Sequence, residues 1–207
     1  MSTRGVIGFR LQGQDWLAHN HSDSYPTSLG WRVIQDVLSL DLHAARDFVS
    51  KLVPVESDAL PDEAQLRELW EQLALTDDLS EELRQSTEDR RTFDTLIPEL
   101  RGGLSAHVER GLRFWDNYET FALDMSCQWG YVLNLDDESL EVYTGNWTAR
   151  LDRFRPKLAP KGRYAKHTER EPADHPMHFV QGIPLTELRM LPTWALLQWC
   201  ERVERSY

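Results

Sequence analysis

The chain is poor in cysteine. Cys127 and Cys200 stand far apart, with no CxxC spacing. That argues against a disulfide framework and predicts two thiols in a reducing cytosol. It also lacks a run of about 18 apolar residues, so no membrane span is expected. The N-terminus has no apolar leader core, which agrees with a cytoplasmic protein. Basic residues are in deficit: 23 Lys and Arg against 34 Asp and Glu, a net charge of −11. A nucleic-acid-binding surface is therefore not expected as the main function, because phosphate contacts need cations. Only the stretch Arg150 to Lys166 is locally basic. No GxSxG or HExxH occurs, and no GK[ST] follows Gly102-Gly103. Asn134, Asp136 and Asp137 lack the Gly and Glu of a calcium loop, so hairpin-turn chemistry explains them better. No cofactor is implied.

What is present suits a single domain over 1–207 with one sizeable core. Eight tryptophans supply large core anchors. Arg4 to Leu11 and Asp15 to Asn20 read as strands around a Gln12-Gly13-Gln14 turn. Leu29 to Leu40 carries apolar residues at helical spacing, and Asp41 can cap a helix over Leu42 to Leu52. Helical patterns follow at Asp62 to Leu75, Phe93 to Leu100 and Leu104 to Leu123. Cys127 to Leu135 and Leu140 to Tyr143 form a second hairpin. Residues 146–174 read as a long loop excursion, and Met177 to Gly182 as a last strand. Pro192 to Arg205 is a helix expected to turn Trp194, Leu197 and Cys200 inward. This order predicts an α+β fold: an antiparallel sheet from two hairpins plus a late strand, with helices packed on it.

The polar segment His19-Asn20-His21-Ser22-Asp23-Ser24-Tyr25-Pro26 follows the first hairpin. His19, His21 and Asp23 stand at alternate positions, and on an extended backbone they would share a face and could converge on a metal ion. The pattern is similar to the start of the metallo-β-lactamase signature HxHxDH, but its sixth position is Ser24. His21 and Asp23, with Tyr25 close by, could also form an acid–base cluster in which the carboxylate orients the imidazole. Alternatively, Asp23 and Ser24 bond backbone N–H groups and close a turn before Tyr-Pro. If Met1 is removed, Ser2 heads the chain before a strand. That arrangement resembles the N-terminal hairpin of N-terminal-nucleophile hydrolases, with Arg10, Asn20 and Asp23 suitably placed. Arg4 could clamp a carboxylate or phosphate.

Thr3, Arg4, Ile7, Gly8, Asn20, His21, Asp23, Ser24, Tyr25, Pro26 and Gly30 resemble the N-terminal pattern of a group of uncharacterised bacterial and phage proteins. Trp129 to Gly145 resembles that group's aromatic hairpin, and Leu185 to Pro192 its closing segment. The resemblance implies no activity. In that pattern position 19 is usually not a histidine, which moves emphasis to His21, Asp23 and Tyr25.

The sequence thus predicts an interaction or ligand-binding protein with a polar pocket around residues 20–25, meeting a protein partner or a small molecule. The other reading is a small-molecule hydrolase, through a His21–Asp23 pair or Ser2 as nucleophile, with a metal-dependent hydrolase behind it. The candidate catalytic residues are His21, Asp23, Tyr25 and Ser2. The candidate ligand contacts are Arg4, Asn20 and Arg10, and the alternative metal set is His19, His21 and Asp23.

Overall fold

The computed structural model describes residues 3–56, 59–73, 103–111, 113–116, 126–145, 164 and 177–206. Ser2, the expected helix Phe93 to Leu100 and most of the 146–174 excursion lie outside the described residues. Two compact units are present: Met1–Leu40 with Tyr118–Tyr207, and Asp41–Asn117.

The first unit is built on strands β1 (Arg4–Leu11), β2 (Gln14–Asn20), β5 (Cys127–Asn134), β6 (Ser139–Thr144) and β7 (His178–Pro184). They form one sheet in the order β2-β1-β5-β6-β7. Both expected hairpins are there. The first turns on Gln12 and Gly13, both at positive φ (53° and 78°), which matches the right-handed twist of the flanking strands. The fold is α+β, but the sheet is mixed rather than purely antiparallel. The hairpins meet through their first strands, and β1 runs parallel to β5, with Ile7 opposite Tyr131 and Phe9 opposite Leu133. Side chains alternate across the sheet. One face carries a buried cluster of Val6, Leu17, Cys127, Val132, Tyr143, Tyr164 and Met177. The other presents Ile7, Phe9, Tyr131, Leu133, Leu140 and Val142, also buried.

Helices α1 (Trp31–Ser39), α5 (Leu185–Met190) and α6 (Thr193–Ser206) complete this unit. Residues Pro26–Gly30 form one wide turn ahead of α1, in which Gly30 N–H donates to the Tyr25 carbonyl at 3.1 Å. α6 packs on this turn and on α1. Its buried residues are Leu196, Trp199, Cys200 and Val203, spaced for a single stripe. Trp194 and Leu197 lie outside that stripe and are exposed, contrary to the inward placement expected for them.

The second unit holds α2 (Leu42–Ser50), α3 (Glu63–Leu73), α4 (Leu104–Arg110) and the short strands β3 (Val53–Val55) and β4 (Phe114–Asp116), paired in parallel. The Asp41 side chain caps α2, accepting from His43 N and Ala44 N at 2.7 and 3.0 Å. Asp62 and Gln65 cap the start of α3 reciprocally. The long helix expected over Leu104 to Leu123 stops at Arg110. Gly111 takes φ 67° there, and its N–H closes on the carbonyls of His107 and Val108.

Candidate functional site

The segment after β2 is organised around a residue the sequence did not single out as the centre. Ser24 is fully buried. Its N–H donates to the Thr3 carbonyl at 3.1 Å. Its Oγ accepts from Asn20 Nδ2 at 2.7 Å, and the same amide also reaches the Ser22 carbonyl. Its carbonyl accepts from the Tyr131 hydroxyl at 2.9 Å. The flanking carbonyls are also used: Asp23 accepts from Leu29 N at 3.2 Å, and Tyr25 from Ser28 N at 3.0 Å. Asp23 sits at φ 52°, a left-handed conformation that aspartate tolerates better than most residues. Glu204 of α6 then accepts from Thr27 N at 3.1 Å and from Thr27 Oγ1 at 2.5 Å.

Close backbone approach explains two glycines here. A Cβ on Gly5 would stand 2.3 Å from the Trp129 carbonyl oxygen and 2.8 Å from Ser24 Cβ. A Cβ on Gly30 would stand 2.8 Å from the Tyr131 ring. The N-terminal segment and the aromatic hairpin therefore pack directly on each other, and Leu185 N–H donates to the Glu138 carbonyl at 2.8 Å. Burial pushes the Tyr131 phenol well above its ordinary range, with Cys200 and Glu204 adding in the same direction. Burial likewise pushes the Cys200 thiol up to about 12.

Asn20, expected as a ligand contact, commits its amide inside this lock, whereas the other candidate side chains of this segment lie on its outside. His21 and Asp23 are exposed, and Tyr25 is 40% exposed. His19 is half-buried, with its ring centroid 4.2 Å from that of His21 in an edge arrangement. Arg4 is exposed at the same end of the sheet, since Gly5 pairs with Asn20. The extended backbone that would align His19, His21 and Asp23 ends with β2 at Asn20. Among the described residues, no group of three or more His, Cys, Asp or Glu side chains could hold a metal ion.

Arg10 is not brought to this end. It lies six residues from Arg4, at the far end of β1, where its Nη1 is 3.0 Å from Asp15 Oδ2 and its Nε 4.0 Å from Asp136 Oδ2. Asp136 accepts from Gln12 N and Gly13 N at 2.7 and 2.9 Å, so the second hairpin's turn clamps the first. Asn134 Oδ1 accepts from Asp136 N and Asp137 N at 3.0 and 3.1 Å, which is hairpin-turn chemistry. Behind it, buried Glu141 accepts from Asn134 Nδ2 at 2.9 Å and from the Tyr143 hydroxyl at 2.8 Å. This polar network had a partial sequence signal in Asn-x-Asp-Asp, but Glu141 had none.

No family model, curated protein or solved structure matches the chain.

Proposed function

We propose that this is a non-catalytic interaction protein whose recognition edge is the exposed set Arg4, His21, Asp23 and Tyr25. The observation that carries the reading is a division of labour within one segment. Ser24 and three consecutive carbonyls are committed to the fold, while His21, Asp23 and Tyr25 project from it. A rim fixed in this way gives up little conformational entropy on binding. Its chemistry suits a protein surface: an exposed tyrosine is the kind of side chain that anchors interfaces. Membership of the bacterial and phage group is part of the proposal, supported by the direct packing of two of its segments on each other. A cytoplasmic location is supported by two buried cysteines held as thiols.

The test compares immobilised wild type with a His21→Ala/Asp23→Ala/Tyr25→Ala variant in capture from a cytosolic extract, beside a panel of model esters and amides. The expected result is a saturable protein partner lost by the variant, with no turnover by either protein. Turnover by wild type that His21→Ala abolishes would instead establish the hydrolase.

A further inference from the structure

The turn that follows the recognition edge brings no cap of its own. Pro26–Gly30 is a five-residue turn of π type, in which Gly30 N–H reaches the Tyr25 carbonyl at 3.1 Å. Such wide turns are rare and are frequent at functional sites. Tyr25, the residue ahead of it, makes no side-chain cap bond, and Pro26 has no N–H. The first N–H groups of a helical turn need acceptors from outside it. Thr27 finds its acceptor on another element. Glu204, in the last turn of α6, takes both the Thr27 N–H (3.1 Å) and the Thr27 hydroxyl (2.5 Å) on one carboxylate oxygen. The cap is thus supplied from 177 residues away in the chain.

The surroundings of Glu204 make this a fixed contact. α6 packs on the turn and on α1, and its stripe of Leu196, Trp199, Cys200 and Val203 is buried. Glu204 is half-buried beside Val203. Burial raises the pKa of the Tyr131 phenol and the Cys200 thiol, and the nearby Glu204 charge adds to both. From the sheet side, Tyr131 holds the Ser24 carbonyl and its ring lies against Gly30. Tyr25 therefore stands between two points of hold, Ser24 on the sheet and Thr27 on the helix. The Asp23 carbonyl accepts from Leu29 N at 3.2 Å, which ties the other rim residue to the same turn. We infer that Glu204 is a positioning residue for the recognition edge: through Thr27, α6 clamps the Pro26–Gly30 turn and so sets how Tyr25 and Asp23 are presented. The functional meaning of the clamp rests on the proposed recognition role, whereas the clamp itself is measurable without a partner.

Amide hydrogen exchange and fluorine NMR of the fluorotyrosine-labelled full chain test this, with the Tyr25 line assigned by its absence in Tyr25→Phe. In Glu204→Ala, exchange at Ser28, Leu29 and Gly30 should quicken by roughly two- to thirtyfold, the span for losing one helix-end cap. The Tyr25 line should shift, while Val132 and Tyr143 in the sheet keep their wild-type rates. Glu204→Gln keeps an acceptor oxygen without the charge, and should restore the Tyr25 line and most of the protection. Thr27→Val removes the hydroxyl bond alone; it should move both readings the same way by less, and it serves in place of a Glu204→Ala that fails to fold. Unchanged protection of the turn in these variants would overturn the inference. So would a Tyr25 line that stays in place, or exchange that quickens equally at Val132 and Tyr143. Failure of the recognition role is seen separately, as no saturable partner while the exchange and fluorine results stand.

Discussion

The Tyr131 hydroxyl donates to the Ser24 carbonyl across 2.9 Å of buried space, joining two segments 107 residues apart in the chain. This bond fixes the end of the sheet on which the candidate recognition edge sits. Tyr131→Phe removes the donor and leaves a buried carbonyl unsatisfied, which costs about 1–3 kcal/mol. Urea unfolding should show that loss as a lower midpoint with an unchanged slope.

Gly5 supports the same junction by having no side chain. Its missing Cβ would lie 2.3 Å from the Trp129 carbonyl oxygen, a backbone atom that cannot swing aside. Gly5→Ala is therefore expected to push β1 and β5 apart and destabilise by about 1–3 kcal/mol, the usual range for overpacking. Thermal unfolding checks it. An alanine tolerated without loss would mean that the parallel seam is looser than described.

At the opposite end, both oxygens of Asp136 hold the first hairpin's turn through Gln12 N and Gly13 N. Asp136→Ala should free that turn and cost about 1–2 kcal/mol, since each bond is charge-assisted but solvent-exposed. Hydrogen exchange at Gln12 and Gly13 should accelerate, with the Ser24 end unaffected.

Stability should fall at alkaline pH. The Cys200 thiol rises from an ordinary 9.0 to about 12 in the fold, chiefly through burial. Above pH 9 the unfolded chain releases this proton and the folded chain keeps it. The stabilisation is therefore complete below about 9 and is lost as pH climbs toward 12, at up to about 1.4 kcal/mol per pH unit for this group. Tyr131, shifted in the same direction, steepens the fall. Equilibrium unfolding at stepped pH should show a shallower slope in Cys200→Ala than in wild type.

Both hairpins are legible in the sequence because their determinants are local: a Gln-Gly turn, an Asn-x-Asp-Asp turn and runs of β-forming residues. The parallel pairing of β1 with β5 is not, because nothing near either strand encodes a partner more than 100 residues away. The candidate segment was found by its composition, but its centre was not. A small serine between Asp23 and Tyr25 gives no sign that three elements converge on it. On α6, Trp194 and Leu197 read as core by hydrophobicity alone, whereas the stripe of Leu196, Trp199, Cys200 and Val203 already satisfies the buried face. β3 and β4, at three residues each, are too short to carry a period.

The most direct test of the central claim is a binding titration. The partner captured by wild type is titrated against wild type and against His21→Ala/Asp23→Ala/Tyr25→Ala, with unfolding free energies measured in parallel. If Ser24 holds the fold and the exposed rim does the binding, the His21 and Tyr25 substitutions each cost within about 0.5 kcal/mol of stability, and any larger loss is confined to Asp23, whose left-handed backbone alanine tolerates less well than aspartate. The variant's affinity falls tenfold or more, about 1.4 kcal/mol. Undiminished affinity in a fully folded variant would contradict the account.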